Sequence, residues 1–520
     1  MELHVLDIAI FIAYVALLIS IAWWISRRGH QGPRDTQDYF LANKALPWWA
    51  IGASLIASNI SAEQIIGMSG SGYALGLAIA SYEWMAALTL LLVGKFLLPI
   101  FLKNQIYTMP QYLQQRYDNR VKTIMAVFWL AVYVFVNLTA VLWLGGLAIN
   151  TVTGIDWLIG MVFLATFSVA YSLYGGLKAV AYTDIIQVVL LVFGGLLLSY
   201  LALDAVSGGN GALKGFITLS AELPGHFDMI LSKDNPQYIN LPGISVLVGG
   251  MWIMNISYWG FNQYIIQRAL AAKSLAEAQK GIAFAAYLKL LMPLIVVLPG
   301  IAAVMLFPNL DAPDQAYPSM ISLMPVGLKG LVFAALVAAI VSSLASMTNS
   351  VSTIFTMDIY KHLRPHQTQT HYVRTGRLVS LSALLTALLV AQPLLGQFDQ
   401  AFQYIQEFTG FFTPGIVVIF LIGMFWKNAS SNGALSAALG SAAFSIALRV
   451  WWPELPFVDR VGLVFLLCLG LAVGVSLLFK GATQDESIDI SHVSFSTGRS
   501  FNVATVGCII ILIALYATWW

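Results

Sequence analysis

Apolar runs of about twenty residues recur from one end of the chain to the other, separated by short polar connections. Each is long enough to cross a hydrocarbon core of about 30 Å as a helix. The pattern predicts about fourteen spans, at 5–26, 47–72, 76–102, 123–150, 155–174, 181–203, 243–267, 281–307, 327–360, 375–394, 398–426, 433–451, 461–479 and 501–519. The first run is too long for the apolar region of a signal peptide, and no small-residue cleavage site precedes Arg27 and Arg28. It reads as a retained span.

Two runs are not uniformly apolar. Span two contains ASLIASNISAEQIIGMSGSGY (53–73), which crowds Ser58, Asn59, Ser61, Glu63 and Gln64 into seven residues. Span seven contains MWIMNISYWGFNQY (251–264), with Asn255, Ser257, Gly260, Asn262 and Gln263. Such clusters survive at membrane depth where they face protein or line a cavity. The two interrupted spans lie five apart, which predicts two five-helix repeats at 47–203 and 243–426. With an odd number of spans per repeat, the second enters the membrane inverted, and the paired interruptions point to a midplane site whose unwound carbonyls bind a cation. Residues 1–46 then form a first helix and a cytoplasmic linker. Residues 204–242 form an extracellular loop carrying a short cap, and 427–520 supply C-terminal flanking helices.

Composition agrees with this reading. Hydrophobic residues make up 59% of the 520 and charged residues 10%, against about 25% charged in soluble domains. The chain is an all-α polytopic membrane protein. Lys and Arg collect on the side predicted as cytoplasmic, in loops holding Arg27, Lys44, Lys103, Arg116, Lys122, Lys178, Arg268, Lys361, Arg377, Lys427 and Lys480. The other side keeps Lys214, Lys233, Lys329, Arg449 and Arg460. This partition predicts both termini outside, and the expected location is the cell (inner) membrane, as a multi-pass protein. The segment 482–500 is polar and reads as a mobile cytoplasmic connection.

Charge and motif exclude several functions. A net charge of +2 makes no case for nucleic acid. Cys468 and Cys508 both fall in apolar runs and read as small buried side chains. SGSG at 69–72 lacks the Lys and the strand–helix setting of a phosphate loop. Energy for any transport would then come from a gradient, not from ATP bound by this chain. The seven histidines lie at ends or in loops, which disfavours a His-centred intramembrane hydrolase or proton relay, and no HExxH is present.

Ionisable groups inside spans mark a pathway or a partner. Span two carries Glu63, span three Glu83, and span eight Lys289, roughly 13 Å along the helix from the cytoplasmic loop. Lys289 either snorkels or faces Glu83 across a cavity, where the pair could bond substrate hydroxyls. Span nine places Ser342, Ser346, Asn349, Ser350 and Thr353 on one stripe. That stripe suits tight helix packing, while the adjacent hydroxyls of Ser342 and Ser343 are also hard donors for an alkali cation. Span eleven offers Gln403, Gln406 and Glu407, of which Gln406 is the deeper hydrogen-bonding candidate.

These residues resemble the solute–sodium symporter family, in its sodium/galactose (sodium/glucose-type) branch. The resemblance runs through DYFLANKALPWW (38–49), ASNISAEQ (57–64), GGLKAVAYTD (175–184) and NPQYINLPG (235–243). It continues through YWGFNQYIIQRALAAKS (258–274), FAALVAAIVSSLASM (333–347) and AFQYIQEFTG (401–410). It implies a LeuT-type ten-helix inverted-repeat core with flanking helices, sodium as the coupling ion and a small sugar as the substrate. By position it implies a sodium site from the carbonyls of Ala57, Ile60 and Ala339 with the hydroxyls of Ser342 and Ser343. Asp184 falls on the sodium exit path. Gln64, Glu83, Asn255, Lys289 and Gln406 match the sugar-bonding positions. Tyr258 matches the inner gate, with Asn59 bonding its hydroxyl, and Met68, Tyr82 and Phe402 match the outer gate. The resemblance places no sugar contact on Glu63. Two positions depart from the family: Ala86 stands where a hydroxyl residue contacts sugar, and Tyr182 where Trp is usual. The reading is a sodium-coupled sugar symporter working by alternating access. Symport of another polar solute (polyol, inositol, nucleoside) and sodium-independent facilitation are the alternatives, and an enzyme is the least favoured class.

Overall fold

The structure, a computed structural model, describes residues 3–28, 46–106, 108–396, 400–479, 490 and 492–520, with backbone alone at 22, 23, 25–28 and 171–182. Of the predicted mobile segment 482–500, residues 482–489 and 491 lie outside it, as do the 38–45 part of the first motif and the side chains of Lys178 and Tyr182. Among the described residues there is no β-strand; Leu46 and Ala272 form one isolated bridge.

The helices used below are α1 (Val5–Arg28), α2 (Trp48–Asn59), α3 (Met68–Leu75), α4 (Ser81–Leu92), α5 (Met109–Arg116), α6 (Asn119–Thr153), α7 (Trp157–Val206) and α8 (Ala212–Glu222). After them come α9 (Gly250–Ile256), α10 (Gln263–Leu270), α11 (Leu275–Leu306), α12 (Leu328–Thr353), α13 (Gln369–Leu395), α14 (Ala401–Gly410), α15 (Thr413–Phe425), α16 (Ser431–Trp451), α17 (Phe457–Leu478) and α18 (Arg499–Thr518). Among the described residues nine helical runs are long and apolar enough to cross a membrane, or ten if α14 and α15, bent by 46°, form one span. The number falls below fourteen partly because the interrupted spans are in pieces: α2, α9 and α10 have 12, 7 and 8 residues. The segments expected as spans at 155–174 and 181–203 are joined by helical backbone within Trp157–Val206; Thr183–Val206 is one of the nine runs and Trp157–Ala170 a shorter apolar helix.

Burial orders the helices. The α12 segment is central, with 94% of its most apolar stretch buried, whereas α17 and α18 bury 28% and 17% of theirs. Helix α12 lies against α7, α1, α13 and α2. The short cap expected in 204–242 is α8, packed on α7. Gly76, at φ +82°, makes the turn from α3 toward α4, and a Cβ there would come within 2.4 Å of the His226 carbonyl oxygen.

Several helix ends are satisfied by side chains far away in sequence. Helix α12 begins after Gly327, which has φ +90° and no side chain to cap with. Asp7 of α1 supplies the cap, its Oδ1 accepting from Gly327 N at 2.7 Å and Gly330 N at 2.9 Å. Asp314 Oδ2 accepts from Ala401 N at 2.9 Å, capping α14. Glu277 Oε2 accepts from Trp48 N at 2.8 Å, capping α2. At the other polarity, Arg116 Nε donates to the Gly423 carbonyl at 2.7 Å and Nη2 to the Trp426 carbonyl at 3.0 Å, closing α15. Arg116 and Arg268, assigned from sequence to cytoplasmic loops, are both fully buried, because each guanidinium has oxygens inside the protein to bond.

Asp7→Ala leaves two buried N–H groups without acceptors, and such a cap is worth about 1–2 kcal/mol. Thermal unfolding of the detergent-solubilised protein is expected to show a lower midpoint for Asp7→Ala, with Asp7→Asn in between.

Candidate functional site

Helix α2 ends where Ile60 leaves helical geometry, at φ −69° and ψ 82°. Ser61 N bonds the Asn59 carbonyl at 2.8 Å, so the Ala57 carbonyl loses the donor that a continuous helix would give it. Ser61 Oγ in turn accepts from Glu63 N at 3.1 Å. Small hydroxyl side chains offer the backbone such local alternatives, which is how this sequence breaks a helix without proline. The chain then resumes as a π turn, Glu63–Gly67, leading into α3.

The second break lies between α9 and α10. A π turn, Ser257–Phe261, ends at Asn262, which is extended at φ −85° and ψ 120°. Tyr133 of α6 holds it: its hydroxyl donates to Asn262 Oδ1 at 2.5 Å and accepts from Gln263 N at 3.0 Å.

A chain of polar contacts joins the two breaks. Asn59 Nδ2 donates to the Tyr258 hydroxyl at 2.9 Å, and Tyr264 donates to the same oxygen at 2.8 Å. Asn59 Oδ1 accepts from Lys289 Nζ. Lys289 also bonds Glu83 Oε2 at 2.5 Å and sits 5.1 Å above the Trp259 ring. Lys289 and Glu83 are 0% and 2% exposed. The ammonium therefore does not snorkel to water; it is neutralised where it stands.

These groups surround one cavity of about 960 Å³ of empty space, its mouth included. All five predicted sugar-bonding residues, Gln64, Glu83, Asn255, Lys289 and Gln406, line it, as do Asn59, Tyr258, Tyr82 and Phe402. Tyr82 and Phe402 meet edge to face, 5.3 Å between centroids. Met68 is fully buried on α3 but does not line the cavity. Ala86 and Glu63 do. Glu407 faces elsewhere, paired with Arg460 at 2.9 Å and Arg449 at 3.1 Å.

Below the α2 break lies a second polar cluster. Ser343 Oγ of α12 donates to the Ser58 carbonyl at 3.3 Å, and Ser342 Oγ donates to Asp184 Oδ1 at 2.5 Å. Asp184 Oδ2 accepts from Ser54 Oγ at 2.8 Å. Ala57, Ile60 and Ala339 are fully buried. Asp184, predicted on an exit path, is thus in direct contact with one of the predicted cation ligands. Arg268 adds what sequence reasoning missed: it donates to Ser346 Oγ at 2.5 Å, Ser54 Oγ at 3.3 Å and the Tyr264 carbonyl at 3.0 Å. Its position at the polar end of an interrupted span was the available signal. Tyr133 and Asn137 were also missed; their i, i+4 spacing within one apolar run was the available signal.

An all-helical chain with two broken membrane helices meeting over a polar cavity defines a transporter. Comparison identifies which: the Sodium:solute symporter family model matches residues 39–440, and the chain belongs to that family. It is 51% identical to the sodium/glucose cotransporter of Vibrio parahaemolyticus, over 100% of this chain and 99% of that one. It is 35% identical to the human sodium/myo-inositol cotransporter 2, over 82% of this chain and 67% of the relative. Among solved structures, a Na+-coupled sialic acid symporter in a substrate-bound outward-open state superposes with a TM-score of 0.80 at 23% identity, covering 92% and 99% of the two chains. A nucleobase–cation symporter follows at 0.54 and 16%, covering 87% and 98%. The fold is therefore of LeuT type. The chain is a multi-pass membrane transporter with sodium as its coupling ion, and it is not an enzyme.

Removing one partner of a buried ion pair costs about 3–5 kcal/mol, because the other charge stays buried. Lys289→Met is therefore expected to melt well below wild type, and the double change Lys289→Met with Glu83→Gln to recover much of that loss. Melting curves of the three proteins in detergent test this.

Proposed function

We propose that this symporter imports a monosaccharide of galactose or glucose type together with sodium, by alternating access. The observation that carries the reading is the double use of one helix break. The Ser58 carbonyl meets Ser343 of α12 on one side, and the next residue, Asn59, holds Lys289 and Tyr258 on the cavity side. A cation bound by the carbonyls of Ala57, Ile60 and Ala339 with the hydroxyls of Ser342 and Ser343 would order the break. Through Asn59 it would order the wall of the sugar site formed by Gln64, Glu83, Asn255, Lys289 and Gln406. In this mechanism Tyr258 closes the site toward the inside, while Met68, Tyr82 and Phe402 close it toward the outside. Sodium leaving past Asp184 then lowers affinity for the sugar.

Hexose as the substrate class is supported by the sodium/glucose cotransporter of Vibrio parahaemolyticus and by the cavity's chemistry. Gln64 Oε1 is buried and lacks a hydrogen-bond partner among the described residues, which suits a ligand rich in hydroxyl donors. Ala86 cannot hydrogen-bond, and a cyclic polyol is the second reading, favoured by the similarity to the sodium/myo-inositol cotransporter.

For the architecture we adopt about fourteen spans around a five-plus-five inverted repeat, 47–203 and 243–426, with 1–46, 204–242 and 427–520 as its additions. One break in each half, at Ile60 and at Asn262, supports this. Both termini are read as outside the inner membrane. In support, Trp519 O accepts from Met229 N at 2.8 Å in the 204–242 loop, and Asp7 caps α12 beside the 307–327 connection.

Uptake of hexose into proteoliposomes is expected to require an inward sodium gradient, and Ser343→Ala to raise the sodium concentration needed for half-maximal uptake. Uptake indifferent to sodium, in wild type or in a fully active Ser343→Ala, would refute the coupling. Ala86→Ser restores one hydrogen bond worth about 0.5–1.5 kcal/mol, so it is expected to change the ratio of galactose to glucose uptake by up to about tenfold. Competition of hexose uptake by myo-inositol separates the two substrate readings.

A further inference from the structure

Three charged residues line the cavity: Glu63, Glu83 and Lys289. Glu83 and Lys289 neutralise each other. Glu63 has no counter-ion among the described residues, is only 5% exposed, and its Oε1 lacks a hydrogen-bond partner there. The carboxylate has a side-chain hydrogen bond with Asn137 on α6, which lines the same cavity together with Tyr133. A buried carboxylate oxygen without a donor is costly, and such groups are retained in membranes where a ligand or pathway uses them. The carboxylate sits one residue from Gln64, whose Oε1 is likewise without a partner among the described residues. Two consecutive acceptors, on a π turn that sets them beside the cavity, face whatever enters with nothing to accept from.

We propose that Glu63 is a specificity-determining residue whose free carboxylate oxygen accepts a hydrogen bond from a substrate hydroxyl, forming with Asn137 a subsite between the Glu63–Gly67 π turn and α6. Lys289 and Glu83, which line the same cavity, read other hydroxyls of the same ring. A ligand hydroxyl supplies the donor that Oε1 lacks, so the subsite selects for a hydroxyl at one ring position and against its absence.

This rests on the reading of the substrate as a polyhydroxylated ring, and the test separates the two. Sodium-driven uptake of a hexose and its monodeoxy analogues is measured in proteoliposomes for wild type, Glu63→Ala and Glu63→Gln. Hydrogen bonds to a charged group are the stronger ones. Wild type is therefore expected to lose about tenfold or more in uptake efficiency for the analogue lacking the hydroxyl that Glu63 reads. In Glu63→Ala that one penalty falls to near onefold while the penalties at other ring positions persist. Glu63→Gln, which keeps an acceptor of the same shape, is expected to retain part of it, and it decides the matter if Glu63→Ala does not insert or fold. The proposal is overturned if the variants leave every deoxy penalty unchanged or lower all of them by a common factor. It is overturned equally if they alter the steepness of sodium activation, which would make Glu63 a cation ligand. Absence of sodium-driven hexose uptake in wild type would instead overturn the substrate reading itself.

Discussion

A backbone carbonyl at membrane depth has no water to bond, so a helix can be broken there only where something else completes the hydrogen bonds. That constraint organises this transporter. The break after Asn59 frees the Ala57 carbonyl and turns the Ser58 carbonyl toward Ser343. The break at Asn262 is completed by the Tyr133 hydroxyl from α6. Each interruption therefore needs an intact helix packed beside it, α12 for the first and α6 for the second. An intact helix pressed against a break is also what makes a compact oxygen cage for a small cation possible.

Charge follows from the same constraint. The cavity must carry polar groups to hold a polar ligand, yet each charge in the membrane interior is expensive unless it is paired. Lys289 meets this by bonding Glu83 and Asn59 together while stacking over Trp259. Arg268 meets it with three oxygens from α2, α10 and α12. Helix ends are treated likewise, with Asp7, Asp314, Glu277 and Arg116 closing them from distant parts of the chain. These long-range caps tie peripheral elements to ligand-bearing ones. Asp7 joins the first helix to α12, and Asp314 joins the 307–327 connection to the helix carrying Phe402 and Gln406.

Much of this was legible in the sequence because lipid is an unforgiving solvent. Five polar residues within seven announce a break, and an ionisable residue in an apolar run announces a partner. Lys289 and Glu83 could be named on that ground, and Ser342 and Ser343 on their adjacency. Residues whose roles depend on partners on other elements were not legible. Tyr133 looks like any aromatic in a span, Arg268 like a loop cation, and Asp7 like an ordinary first-turn acid.

By itself, the sequence determined the solvent, the class of fold and the places where helices must be interrupted, since these follow from the transfer energies of consecutive residues. It also determined, through several ordered motifs, the family. Tertiary structure alone decided which polar groups are paired and which are left over, because pairing depends on helices far apart in the chain meeting at one depth. Glu83 and Glu63 look alike as isolated carboxylates in apolar runs. Packing gives the first a lysine from α11 and leaves the second with an oxygen open to a ligand.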